Sequence, residues 1–268
     1  MADNMFKNLY RYIILTFEII KLNILSAMEY RATFITQVVG MALNDILLVF
    51  MWTAFFAKFP NLNGWGVQDT FLLFAIGMTN FGIYRIFAGN AEEISYLIAR
   101  GELDYHLTLP KNVLWQVSTA KTNISAIGDV IFGVVLFLFI VTSWQQFILF
   151  AFISILTALI LYNFIVLLQS MGFFFGNFEE TADRIFHILL GLSLYPSTSF
   201  SGVLKFITFT IIPVVFTAWL PVDVVKNFKL VYIWYIIGFW LISLIITLFV
   251  FNRGLRRYES GNMIHVKM

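Results

Sequence analysis

The chain has 268 residues, of which 60% are hydrophobic and only 12% charged, and its net charge is +2. A soluble domain carries about 25% charged residues. This excess of apolar residues, with a mean hydropathy of +0.86, would leave large apolar patches in water. The composition excludes a disordered chain and gives too little charge to grip a nucleic-acid polyanion. The lack of cysteine excludes disulfides, thiolate metal sites and cysteine nucleophiles. An all-α polytopic membrane protein is the class that remains.

Residues 1–31 do not form a signal peptide, because Glu18 and Lys21 interrupt any apolar core. At 100° per residue, Lys7, Arg11, Glu18, Lys21 and Glu29 fall on one stripe, and Tyr10, Ile13, Ile20, Ile24 and Ala27 lie on the other face. This pattern predicts an amphipathic helix in the plane of the cytoplasmic leaflet; the alternative is a helix docked on protein.

A membrane span needs about 20 mostly apolar residues. Such runs occur at 33–57, 70–88, 124–142, 147–175 and 231–251, with a broken region at 185–219. They are too long for barrel strands. Lysines and arginines concentrate in 1–31, 85–121, at Arg184 and after 251, whereas Lys58, Lys205, Lys226 and Lys229 lie on the opposite side. The positive-inside rule then places both termini in the cytoplasm and requires an even number of crossings. In the broken region, Pro196, Ser197 and Gly202 interrupt the chain, and a second apolar run carries Pro213 and ends at Pro221. Proline frees a helix carbonyl, and irregular backbone at membrane depth must be buried or line a cavity. The expectation is six spans, with a re-entrant element between spans 5 and 6; one long kinked helix is the alternative.

Polar residues inside spans are costly and become candidates for function. On the first span, Gln37, Met41, Asn44 and Asp45 form a stripe that should face protein or a water-filled path. Asn80 and Tyr84 share a face of the second span, which Arg85 closes; Asp129 sits one to two turns into the third, His187 opens the fifth, and Asn163 and Ser170 share a face of the fourth. Packing across helices is the competing role for each of these. Gly172 and Gly176 form a small-residue pair at the end of the fourth span.

The cytoplasmic loop 90–123 is too long for a passive turn. Asn90 followed by Glu93 reads as an N-cap with an acidic third position, opening a helix over 91–99 whose apolar face is Ile94, Leu97 and Ile98. Gly101 stands where a C-terminal cap is expected, and a second short segment closes at Pro110.

The stretch Ile98-Ala99-Arg100-Gly101-Glu102-Leu103-Asp104, followed by Leu107-Thr108-Leu109-Pro110, resembles the signature of type 2 ABC transporter permeases. Within them it resembles the short group without a large extracellular domain. Tyr195-Pro196, Ile212-Pro213 and Leu220-Pro221 are similar to the C-terminal half of that group. The resemblance covers essentially the whole chain, and the outer loop around 143–146 is shorter than in the better-studied exporters.

The resemblance implies one permease domain over 1–268 in the cell (plasma or inner) membrane, with a cytoplasmic tail at 252–268. It would pair with a second permease, as a homodimer or with a sister subunit, amid membrane lipid. Separate ATPase subunits would bind ATP and Mg, and this chain would hold no cofactor. No Gly-x-x-x-x-Gly-Lys-Ser/Thr loop occurs in the sequence. The coupling loop would present Glu92, Glu93, Ile94, Leu97, Arg100, Gly101, Glu102, Leu103, Asp104, Leu107 and Pro110 to the ATPase. The loop 176–184 would add Glu179, Glu180 and Asp183, and the spans 1, 2 and 5 would line the path. An exporter working by alternating access is the expected function.

Two other classes compete with it. A secondary transporter predicts repeated halves with matching broken helices, and 33–142 holds no counterpart to the broken region. A membrane enzyme is disfavoured: there is no His-Glu-x-x-His or Gly-x-Ser-x-Gly motif, and His106, His187 and His265 have no metal-ligand spacing.

Overall fold

The computed structural model describes residues 2–259, with side chains from Tyr10 onward. Expectations on Lys7, His265 and residues 260–268 of the tail lie outside the described side chains. The chain is 81% helical, with no strand among the described residues.

Helix α1 (Ala2–Met28) is followed after a two-residue turn by α2 (Arg31–Lys58). An antiparallel helix α3 (Val67–Ala88) leads through a 3-10 turn (Gly89–Glu93) into the short helices α4 (Ile94–Arg100), α5 (Leu103–Leu107) and α6 (Val113–Thr119). Helices α7 (Ala126–Leu138) and α8 (Trp144–Gln169) come next, with one turn of helix, α9 (Gly172–Phe175), after them. The C-terminal part comprises α10 (Glu179–Ser193), α11 (Gly202–Thr210), a π-helical turn (Val215–Trp219), α12 (Leu220–Asn227) and α13 (Val231–Leu255).

Among the described residues, four helical stretches are long and apolar enough to cross a membrane: Arg31–Lys58, Val67–Arg100, Trp144–Phe175 and Val231–Leu255. A fifth is reached if Gly202–Thr210 and Val215–Asn227, bent by 75° at Pro213, count as one. The run expected over 124–142 forms a helix of only 13 residues, α7. The fifth expected span begins as α10, 15 residues long. Pro221 does not end the last part of the broken region: the π-helical turn runs straight into α12 across it, and the Thr217 carbonyl, four residues earlier, accepts from Asn80.

Helix α3 is the centre of the bundle, packed against α7, α8 and α2. Two glycines set the approach of α7. A Cβ on Gly82 would lie 2.8 Å from the Ala126 carbonyl oxygen, and one on Gly133 would lie 2.8 Å from that of Ala75. Small residues at such crossings let helices associate through close backbone packing, which matters where lipid supplies no hydrophobic drive. Helix α13 is clasped to α8 by polar groups. Asn163 Nδ2 donates to Ser243 Oγ at 3.0 Å, and Thr247 Oγ1 donates to the Asn163 carbonyl at 3.0 Å. Asn163 therefore holds helices together.

Helix α1 lies on protein along one side. Tyr12 meets Trp115 edge-to-face at 4.9 Å, Trp115 Nε1 donates to Thr16 Oγ1 at 3.1 Å, and Asn23 Nδ2 donates to Thr122 Oγ1 at 3.2 Å. Away from these contacts Tyr10, Ile13, Phe17, Leu22 and Leu25 are exposed, as are Arg11, Glu18, Lys21 and Glu29 of the charged stripe.

Candidate functional site

The loop 90–123 folds much as its glycine signal predicts, but not at its start. Helix α4 begins at Ile94, after the 3-10 turn, and no side chain caps it. Asn90 is buried and donates to the Val117 carbonyl at 2.7 Å, so it ties α6 to the turn instead of acting as an N-cap. Gly101 has φ +74°, a conformation costly for residues with a Cβ. Its N–H reaches the Ile98 carbonyl and the Glu102 N–H reaches that of Leu97 at 3.0 Å, the pattern of a Schellman cap. The chain thereby reverses into α5.

This reversal sorts the loop's side chains into two sets. Ile94, Ile98 and Leu103 are fully buried or nearly so, which removes Ile94 and Leu103 from any surface a partner could touch. Leu97, Gly101 and Asp104 are half-buried, whereas Glu93, Arg100, Glu102, Leu107 and Pro110 are exposed. Glu92 is committed within the chain: Arg85 Nε and Nη2 each donate to it at 2.7 Å, and the Tyr84 hydroxyl donates at 3.1 Å. Such a bidentate pair is among the strongest polar contacts, so Glu92 is an anchor of the loop and not a free docking charge.

The second loop meets the first through one side chain. Gln169, fully buried at the end of α8, accepts from the Ser95 backbone N–H at 3.1 Å and donates to Asp183 Oδ1 at 3.1 Å. Gly172 supports the junction, because a Cβ there would lie 2.6 Å from Ser95 Oγ; Gly176 meets nothing. The junction brings carboxylates of both loops together. Burial, followed by the charges of Asp183 and Glu93, pushes the Glu179 carboxyl above its ordinary value, against the pull of Arg100. Burial and then the charge of Glu92 push Asp183 up as well, against His187 and the Gln169 hydrogen bond. Glu180 is exposed and reaches only Arg184, at 3.4 Å.

Between α2, α3, α8 and α10 lies a cavity of about 430 Å³. Asn44, Asp45, Asn80, Ser193 and Thr217 are its polar lining, set among Met41, Met51, Met78, Leu161 and Leu190. Asn80 is fixed by donating to Thr157 Oγ1 at 3.1 Å and to the Thr217 carbonyl at 3.0 Å. Two expected path residues do not line this cavity: Gln37 is exposed, and Tyr84 is buried against Glu92. Asp45, midway along α2, is level with the first turn of α7, where Gly128 packs against the Val38 carbonyl.

A family profile described as ABC-2 family transporter protein matches residues 42–261, which include the loops 90–123 and 176–184 and most of the cavity lining. The chain belongs to this family. No curated protein and no solved structure matches it significantly.

Membrane components of the ABC-2 family transport and are not themselves catalytic; ATP is hydrolysed on partner subunits. In this ABC-2 protein the residues that unite the two loops, Gln169 and Ser95, carry no motif. Gln169 reads as one polar residue at the end of an apolar run, and its partners lie 74 and 14 positions away in sequence. Asp45 and Asp129 each stand out in the sequence as intramembrane charges, but their pairing does not follow from spacing.

Proposed function

We propose that this ABC-2 protein is the permease subunit of an exporter, driven by separate ATPase subunits through a single acidic cytoplasmic platform. The observation that carries the reading is the Gln169 bridge. By joining α4 to the start of α10, it makes one body of two loops that are far apart in sequence. A push on Glu93, Glu102 or Glu180 from below is then delivered to α3, α8 and α10 together, and these three helices wall the cavity. ATP and Mg belong to the partner, and this chain supplies the lever and the path.

In this reading the chain crosses the cell membrane six times with both termini cytoplasmic. Helix α7, at 1.5 Å per residue, rises about 20 Å, and α10 slightly more. Both are short against a hydrocarbon core of about 30 Å, a mismatch that local thinning accommodates. Helix α11 with the π-helical turn and α12 forms the re-entrant element, and α1 lies in the inner leaflet with its exposed strip of Tyr10, Ile13 and Phe17 in lipid. The exposed face of α2 meets a second permease, since it carries the polar Gln37 and Asn44, which lipid disfavours. The exposed face of α13, with Trp234, Ile242, Ile245 and Phe249, suits acyl chains.

The test is purification of the tagged full-length chain from its host membrane, beside the Glu93→Lys/Glu180→Lys variant. The wild type brings down an ATP-binding subunit, and the charge reversal reduces that yield at least tenfold at equal expression. Equal recovery with both chains refutes the platform, and a wild type without any ATP-binding subunit refutes the permease assignment.

A further inference from the structure

We infer that Asp45 and Asp129 together form a cation site, taking a proton or a monovalent metal ion, at the rim of the cavity. The two side chains are fully buried and stand on different helices, α2 and α7, close enough to act directly on each other. Their approach is enforced by the backbone. A Cβ on Gly128 would lie 2.5 Å from the Val38 carbonyl oxygen and 3.2 Å from Met41 Cβ, so only glycine lets α2 and α7 come this close beside the pair.

None of the four carboxyl oxygens receives a hydrogen bond of ordinary geometry among the described residues. The other polar neighbour of Asp45 is Asn44. The cation that acts on Asp129 is Arg85, and both of its bonding nitrogens are spent on Glu92 at 2.7 Å. Asp45, Asp129 and Glu92 against Arg85 leave two uncompensated negative charges on buried side chains. Like charges in contact at low dielectric repel strongly, and a buried ion without a partner is strongly destabilising. A cation between the two carboxyl groups removes both penalties.

The chemistry selects a small, singly charged occupant. A divalent ion of the calcium type takes six to eight oxygens, and magnesium keeps several waters in octahedral geometry; the pair and Asn44 offer fewer ligands than either demands. A proton shared between two carboxyl groups needs only those groups, and sodium needs little more. Because Asp45 also lines the cavity, any movement of α2 away from α7 opens the site and releases the cation. This inference does not depend on the ATPase platform and survives or fails separately from it.

The experiment uses the full-length chain in lipid nanodiscs and reads two signals. Infrared spectroscopy looks for a protonated carboxyl stretch near neutral pH that shifts in deuterium oxide, and radioactive sodium is the metal probe. A proton site gives the shifting band in wild type, its loss in Asp45→Asn and in Asp129→Asn, and its retention in Asp69→Asn. A sodium site gives saturable sodium binding that either substitution abolishes and acid displaces. Wild-type protein with neither the band nor sodium binding overturns the proposal, and this arm needs no variant to fold. A band or sodium binding that persists in both asparagine variants overturns it equally.

Discussion

At the residue scale, the side chains that connect helices are polar residues in apolar surroundings, and their loss has a calculable direction. Asn80 donates two hydrogen bonds, to Thr157 and to the Thr217 carbonyl. Asn80→Ala leaves the carbonyl without this donor, and each lost buried hydrogen bond costs about 1–3 kcal/mol. The expected outcome is a lower melting temperature in detergent, checked by tryptophan fluorescence; an unchanged midpoint contradicts the assignment. Arg85→Lys should be as harmful, although it keeps the charge, because a lysine cannot reproduce the two-pronged contact with Glu92. Thermal unfolding of Arg85→Lys against Glu92→Gln compares the two halves of that pair. Asn80 was legible as a polar residue within a span; what could not be read was its role as a tie, since both partners lie more than 70 positions away.

At the element scale, the coupling loop depends on a backbone reversal and on the electrostatics of its junction. Gly101 at φ +74° closes the Schellman cap, and a Cβ there costs about 1–2 kcal/mol. Gly101→Ala should reduce ATP-binding-subunit recovery more than it reduces expression, because α5 is re-aimed while the bundle stays intact. Co-purification yield normalised to folded chain is the measurement. At the junction, the raised Asp183 carboxyl means that the folded chain holds that proton more readily than the unfolded chain does. Stability from this group is therefore lost as pH rises from the ordinary carboxylate value of 3.8 through the raised one. Asp183→Asn keeps an acceptor for Gln169 and removes the repulsion. It should be more stable than wild type at neutral pH by no more than about 0.5 kcal/mol, since the site is partly exposed to solvent, and the gain should vanish on acidification. A pH series of melting curves decides the sign. The glycine signal was readable because left-handed backbone selects one residue type; the start of α4 was not, because a 3-10 turn intervenes and Asn90 is buried there, donating through Nδ2 to the distant Val117 carbonyl.

At the scale of the whole molecule, two long helices are weakly covered by the chain itself. On α2 only Asp45, Trp52 and Phe56 are buried, and α13 buries Ile236, Thr247, Phe251 and Gly254. If α2 meets a second permease and α13 meets lipid, single cysteines should separate them, with no background from a chain that has none. Leu43→Cys and Leu47→Cys should form cross-linked pairs in membranes on mild oxidation, with the same chain or a sister subunit, whereas Phe249→Cys should not. Cross-linking at Phe249 alone would reverse the assignment.

The amino-acid sequence by itself determined the helical membrane class, the positions of the long apolar runs, the glycine break in the coupling loop and the family. These follow from composition, from the length of uninterrupted apolar residues and from local backbone preference, which need no distant partner. Tertiary structure alone decided which acidic residues remain free: Glu92 is consumed by Arg85, and Asp183 is tied to α4 through Gln169. It also decided that Gln37 and Tyr84 stand outside the cavity, and that Asp45 meets Asp129. The meeting of Asp45 with Asp129 depends on the rotation of one helix against another. That rotation is set by close approach at Gly82, Gly128 and Gly133, and it leaves no periodic trace along either helix.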